Sequence, residues 1–282
     1  MYAEAQSDFG KPDEFGQFRK PLILREDFCG TAILCRAFCK SHVEREAYGV
    51  DLDPSVIYYA KSVTLSEGPE SERVKVTLGN VLSTPTELGL PEVDITAGLN
   101  YGCFYFKKRR DLVKYLTNAR MGLRKGGCLI VDVFGGARVT SRGGRLNRRD
   151  FGKFSYFFEQ KPFEATTNTA RVHLHFRFED GSWLKNAFQY DFRAYTIVEI
   201  KEAMLDAGFR HTQTWVAGSA EQEDAEGSGE ENGNEDEDED ADGDIYERKR
   251  PSKESNGIHE YRKLDGPLDQ LESYNAYIVA MA

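Results

Sequence analysis

The chain lacks the features that mark several protein classes. No run of 18 apolar residues occurs in its 282 residues, which excludes a membrane-crossing helix of ordinary length. The N-terminus, MYAEAQSDFGKPDEFG, has no basic start followed by an apolar run, so no secretory signal is expected. Cysteines are few and odd in number: Cys29, Cys35, Cys39, Cys103 and Cys128 sit in apolar settings, and none forms a CxxC pair. That pattern speaks against a disulfide scaffold and against a zinc site, so no metal is expected, and it fits a reducing compartment. A cytoplasmic location is the expectation, with a nuclear one left open. No internal repeat is visible.

Charge is unevenly spread. Residues 221–244 hold 14 acidic residues and no Lys or Arg, so without them 37 basic residues face 33 acidic ones. The rest of the chain is therefore slightly basic, and the overall net charge of −10 says little about what it binds. The acidic tract has almost no apolar surface to bury and reads as a disordered insertion over 219–270. It is an insertion and not a tail, because SYNAYIVAMA follows it and reads as a buried strand over 271–282. Such an insertion is tolerable because loop-closure entropy grows only logarithmically with length.

The front half alternates strand and helix patterns. PLIL, EAYGVDL, VKVTL, VDITAGL and CLIVDVF read as strands, while Thr31–Lys40, Pro54–Ser66 and Arg110–Leu123 read as helices. The last helix is expected to stop at Lys125-Gly126-Gly127. Near-continuous apolar strands alternating with helices predict an α/β fold with a parallel sheet covered on both faces, over 21–136 after an N-terminal segment 1–20. After Gly136 the pattern changes. FSYFFEQKPF, RVHLHFRF and WLKNAFQYDF predict an antiparallel meander within an insertion over 137–195, with EDGS as a hairpin turn. Thr196–Ala207 then reads as a helix and His211–Val216 as a strand, returning to the core over 196–218.

The first strand and its turn read Leu24-Arg25-Glu26-Asp27-Phe28-Cys29-Gly30-Thr31-Ala32. A tight strand-to-helix turn brings backbone N–H groups against a ligand, and Gly30 permits close approach. An ordinary βα turn is the alternative. The second strand ends at Asp51, 21 residues after Gly30. A strand-end acid at that distance suits the ribose hydroxyls of a nucleoside ligand. Asp53 reads as the N-cap of the next helix.

These elements and residues resemble the class I S-adenosylmethionine (SAM) dependent methyltransferases. Glu26–Ala32 stands at the family's acidic-x-Gly-x-Gly-x-Gly motif, with Phe28 and Ala32 where Gly is usual. Asp51 stands at the ribose-binding acid. Gly79-Asn80-Val81 stands at the adenine-contacting segment, with Asn80 for the usual Asp. Asp94–Tyr101 resembles the motif that ends the fourth strand, and LRKGGCLIVDVF the start of the fifth. A narrower resemblance joins LREDFCGTA, GVDLDP, LNYG, VDVFGG and AFQYDFRAYT to a little-described subgroup with a β-rich insertion after the fifth strand. The resemblance implies a Rossmann-like, doubly wound sheet of seven strands with a small antiparallel β lid. It implies SAM as cofactor, held by Glu26, Phe28, Gly30, Asp51, Leu52, Asn80, Val81 and Leu99.

The acceptor is less legible. Asn100 and Tyr101 follow the fourth strand and are the candidates to border the reacting methyl group. Tyr101, Tyr105, His175, Trp183 and Arg193 are candidates for the acceptor pocket, with core or solvated roles as the alternatives. Asp191 and Arg193 share a strand face and are expected to pair. Cys103 reads as a small buried hydrophobe. The stretch from Arg138 to Asp150 carries five arginines, so a nucleic-acid partner stays open, without any accompanying binding module. A methyltransferase acting on a small molecule is the first reading. An RNA or protein methyltransferase, and a non-catalytic binding protein on a degenerate methyltransferase fold, are the alternatives. The acidic insertion is a candidate to recruit a basic partner.

Overall fold

A computed structural model describes residues 1–10, 18, 20–140, 145–217, 261–268, 271 and 273–282. The acidic tract 221–244 and positions 141–144 of the arginine-rich stretch lie outside the described residues.

Two sheets organise the chain. The larger contains β1 (Ile23–Asp27), β2 (Glu46–Asp51), β3 (Val74–Leu78), β4 (Val93–Gly98), β5 (Leu123–Gly135), β10 (His211–Ala217), β11 (Tyr261–Lys263) and β12 (Tyr274–Met281). Their order is β11-β10-β12-β5-β4-β1-β2-β3. β1 to β5 pair in parallel, and β12 runs antiparallel to both β5 and β10. The smaller sheet is an antiparallel meander of β6 (Arg145–Asp150), β7 (Phe154–Gln160), β8 (Thr169–Phe178) and β9 (Trp183–Arg193). The expected parallel core and β-rich insertion are both present.

Helices cover both faces of the large sheet. On one face, Leu112, Tyr115 and Leu116 of α4 (Arg109–Met121) and Ile200 and Met204 of α5 (Ile197–Asp206) pack on Leu129, Val131 and Ile278. On the other, Cys35 and Cys39 of α2 (Ile33–Lys40) and Tyr2 and Ala5 of α1 (Tyr2–Phe9) pack with Leu24, Ala47 and Val279. A strand covered on both faces must be apolar along its whole length, which is why β4 is buried at every residue. α3 (Pro54–Tyr59) begins with Asp53 as its N-cap, accepting the Ser55 N–H at 2.7 Å. Thr196 opens α5 with a capping box completed by Glu199. Among the described residues, no helix is long and apolar enough to cross a membrane.

Two expectations change, and two elements are added. The large sheet has eight strands, not seven, because Tyr261–Lys263 adds an edge strand to β10 from within the span read as acidic insertion. Residues 2–9 form a helix, anchored by the Gln6 side-chain amide on the Gly126 carbonyl and by Asp8 on Lys263 at 2.8 Å. α4 ends at Met121, where the Gly122 N–H bonds back to the Asn118 and Ala119 carbonyls; Lys125-Gly126-Gly127 lies inside β5 and not at a helix stop. Part of the arginine-rich stretch is strand β6, paired along its length with β7.

Candidate functional site

β1 and β4 are neighbours at the centre of the large sheet, and their carboxyl ends open into two adjacent turns. In the first, Phe28, Gly30 and Ala32 take φ of +57°, +51° and +59°. In the second, Asn100 and Tyr101 take +55° and +60°. Among the described residues, six non-glycine residues have positive φ, and four of them lie in these two turns. A left-handed backbone costs an L-residue about 1–2 kcal/mol, so surrounding structure must hold these positions.

That holding structure is visible. The carboxylate of Asp132 on β5 accepts the N–H of Tyr101 at 2.8 Å and of Asn100 at 3.1 Å. Burial raises the Asp132 carboxyl to about 6, against the lowering effect of these bonds. Phe28 is held by packing: its ring lies 5.5 Å from Tyr115, 6.0 Å from Tyr105 and 6.1 Å from Phe106. A Cβ at Gly102 would come within 2.3 Å of the Phe28 ring edge, so the glycine of LNYG leaves the space that Phe28 occupies. The two motifs, far apart in sequence, fit each other.

The surroundings of these turns combine a strand-end carboxylate with polar and apolar side chains. Asp51 ends β2 and accepts the Gly30 N–H at 2.8 Å and the Asp53 N–H at 2.9 Å. An added Cβ at Gly30 would meet open space. Leu52 and Leu78, just past or at the ends of β2 and β3, are 67% and 54% exposed. Asn80 is exposed, with its side-chain oxygen accepting the Leu82 N–H at 2.9 Å, while Val81 is buried beneath. Leu99 is half-buried. Glu26 is buried under the turn and accepts the Cys35 N–H at 3.1 Å and its thiol at 2.9 Å. Burial raises the Glu26 carboxyl to about 7.

The opposite wall is aromatic. The Tyr101 hydroxyl donates to Asn275 Oδ1 on β12 at 3.0 Å, and its ring meets Phe134 edge-on at 4.8 Å. Tyr105 is exposed and meets Phe192 of the small sheet at 5.3 Å and Tyr190 at 6.3 Å. Burial pushes both phenols, Tyr101 and Tyr105, up to about 12, so neither ionises near neutrality.

Three acceptor candidates lie elsewhere. His175 is buried in the small sheet, with Nε2 on Glu159 at 3.1 Å and Nδ1 accepting the Asn186 N–H at 2.9 Å. Trp183 packs on Phe157 at 4.8 Å. Arg193 donates to the Lys107 carbonyl at 2.9 Å and approaches Glu199 at 3.8 Å; Asp191 pairs instead with Arg171 at 2.5 Å. Cys103 is buried, and burial pushes its thiol up, away from nucleophilic use. Among the described residues, no group of three or more His, Cys, Asp and Glu side chains is placed to hold a metal ion. Asp132, Asn275 and Tyr190 join the site without having been singled out from sequence. Asp132 did leave a signal, an acid inside the apolar run CLIVDVF, since a carboxylate on a doubly covered strand needs partners.

No family model matches the chain, and no curated protein matches it. Solved structures do. A SAM-dependent methyltransferase from Clostridium acetobutylicum ATCC 824 superposes with a TM-score of 0.59 at 14% identity, covering 92% of this chain and 84% of that one. The SAM-bound amino pentose methyltransferase of calicheamicin biosynthesis from Micromonospora echinaspora gives 0.57 at 13% identity, covering 78% and 84%. A sugar N-methyltransferase from Streptoalloteichus sp. ATCC 53650 gives 0.53 at 15% identity, covering 74% and 76%. The chain therefore has the fold of SAM-dependent methyltransferases.

Proposed function

We propose that this protein is a SAM-dependent methyltransferase acting on a small molecule. The observation that carries the reading is the pair of strained turns. Non-glycine residues are kept left-handed by Asp132 and Gly102 at the one place where open α/β sheets bind ligands, outside the carboxyl ends of central strands. The cleft fits the cofactor. Gly30 leaves open space at the turn, Asp51 offers carboxylate oxygens to ribose hydroxyls, and exposed Leu52 and Leu78 offer an apolar surface to adenine. Asn80 stands at the cleft for the adenine edge, with Glu26, Phe28, Val81 and Leu99 forming its floor.

SAM would supply an electrophilic methyl group on a sulfonium. The chain's own work is positional. Asn100 and Tyr101 border the space where an acceptor meets the cofactor. Asp132 fixes their backbone. The small sheet, presenting Tyr190 and Phe192 to Tyr105, acts as a lid that excludes water. Both Asp132 oxygens are engaged by N–H groups and the Tyr101 phenol stays neutral. The site therefore suits an acceptor that arrives with a free lone pair, such as an uncharged amine. The amino pentose and sugar N-methyltransferases among the structural neighbours support the small-molecule class.

Calorimetric titration of SAM and S-adenosylhomocysteine, with Asp51→Ala as control, tests the reading. Binding in the micromolar range, weakened roughly tenfold or more by the substitution, is expected. No binding at millimolar ligand, in protein shown to be folded, overturns it and turns the search to protein partners.

A further inference from the structure

We propose that the cavity between the small sheet and the core is a second binding site, for a phosphorylated small molecule. The cavity measures about 840 Å³. Lys107 and Lys108 line it from the core side, and Arg171, Arg193 and the 162–169 loop from the small sheet. That volume lies within the usual range for small-molecule sites, on the order of 300–1,000 Å³.

The four cations face two lining carboxylates, Glu164 and Asp191, and Glu199 stands 3.8 Å from Arg193. Asp191 is already engaged by Arg171 at 2.5 Å, and Glu164 by the N–H and hydroxyl of Thr166. Lys107 uses its ammonium on the Asp191 backbone carbonyl, not on a carboxylate, and burial is the main influence lowering its pKa. Arg193 Nε is buried with no hydrogen-bond partner among the described residues. Lys108, just before α4, completes the core side of the lining. Two ammonium groups and two guanidinium forks together suit a multiply charged phosphoryl group better than one carboxylate. Asn168, at φ +54°, lies in the lining and donates to the Ala194 carbonyl, fixing the loop that closes the cavity.

The cavity is not the methyl-transfer cleft. Side chains alternate along β9, so Tyr190 and Phe192 face Tyr105 while Asp191 and Arg193 face the cavity. The strand itself separates the two. A ligand here bridges core and small sheet, alongside the existing link from Arg193 to the Lys107 carbonyl at 2.9 Å. It would therefore set the position of the wall that carries Tyr190 and Phe192. The inference does not rest on SAM being the cofactor.

The test is calorimetric titration of inorganic pyrophosphate into the full chain at constant ionic strength. Lys108→Gln and Arg171→Gln are compared with Lys75→Gln on the far edge strand β3. Saturable binding is expected, weakened roughly tenfold by each cavity variant, the loss of one charge-assisted hydrogen bond, and unchanged by Lys75→Gln. SAM affinity, measured on the same proteins, should not change. Failure to bind pyrophosphate up to about 10 mM, or equal loss in all three variants, overturns the site. Loss of SAM binding together with pyrophosphate binding would mean a single shared cleft, and would overturn it too.

Discussion

β4, at the centre of the large sheet, is buried at all six residues, whereas β9 in the small sheet buries only Phe192 among eleven. The two strands meet the same backbone requirements under different solvation. Helices cover both faces of β4 and its neighbour β1, so each polar side chain there must find protein partners. On β8 and β9, water is available, and ion pairs such as Arg171–Asp191 sit about half exposed. The difference teaches where charge matters: the same pair of groups is a structural constraint in one sheet and a minor contact in the other.

The largest expected effect uses the Arg25–Asp27 pair on β1. Arg25 is fully buried, its Nε lies 2.7 Å from Asp27, and its two terminal nitrogens have no partner among the described residues. Asp27→Ala should lower unfolding free energy in urea by about 3–5 kcal/mol. The double change Arg25→Met with Asp27→Leu should restore most of it. Asp191→Ala in the small sheet should cost about 1 kcal/mol or less. Equal costs in the two sheets would break the comparison.

Next is pH. Burial raises Glu26 from 4.5 to about 7, so the folded state binds its proton more tightly than the unfolded chain. The stability from that protonation is fully present below pH 4.5 and is lost as pH rises through 7. Glu26→Gln should remove the Glu26 share of this slope, on the order of 3 kcal/mol between those limits, and leave the share of Asp132, whose carboxyl burial raises to about 6. Melting temperatures of both proteins from pH 4 to 8 would measure it. Parallel curves would mean that Glu26 is not desolvated.

A smaller effect tests the joint between the two turns. Gly102→Ala should cost about 1–3 kcal/mol by overpacking and weaken SAM binding. Adding Phe28→Ala should return part of that stability, because the clash is with the Phe28 ring. Additive losses would mean that the two turns do not share this space. The smallest effect on stability is expected at Tyr190→Ala in the small sheet, about 1 kcal/mol or less. There SAM affinity should stay unchanged while the acceptor KM rises, so a lost SAM affinity would count against the division between cofactor and acceptor walls.

Much of the core was legible from the chain. The apolar runs VDITAGL and CLIVDVF fall on strands of the large sheet, PLIL overlaps β1 only at Ile23 and Leu24, and Asp51 and Gly30 do lie together at the carboxyl edge of that sheet. Periodicity reads burial, and doubly covered strands give it strongly. Residues whose place depends on a distant partner were less legible. Arg193 was expected to pair with Asp191 on its own strand, but its partners are on the α4 approach and on α5. Helix α1 has no apolar stripe strong enough to read, and forms where Gln6 and Asp8 find partners on β5, β10 and β11.

The sequence by itself determined which segments could tolerate burial and where glycine or an acid was available at a strand end. Those are local properties of composition and spacing. Only the tertiary structure decided that Asp132 would hold the Asn100 and Tyr101 backbone, that Gly102 would make room for Phe28, and that two cations of the small sheet and two before α4 would line one cavity. Each of these depends on atoms that are distant in sequence and meet only when loop closure has been offset by burial of the surrounding core.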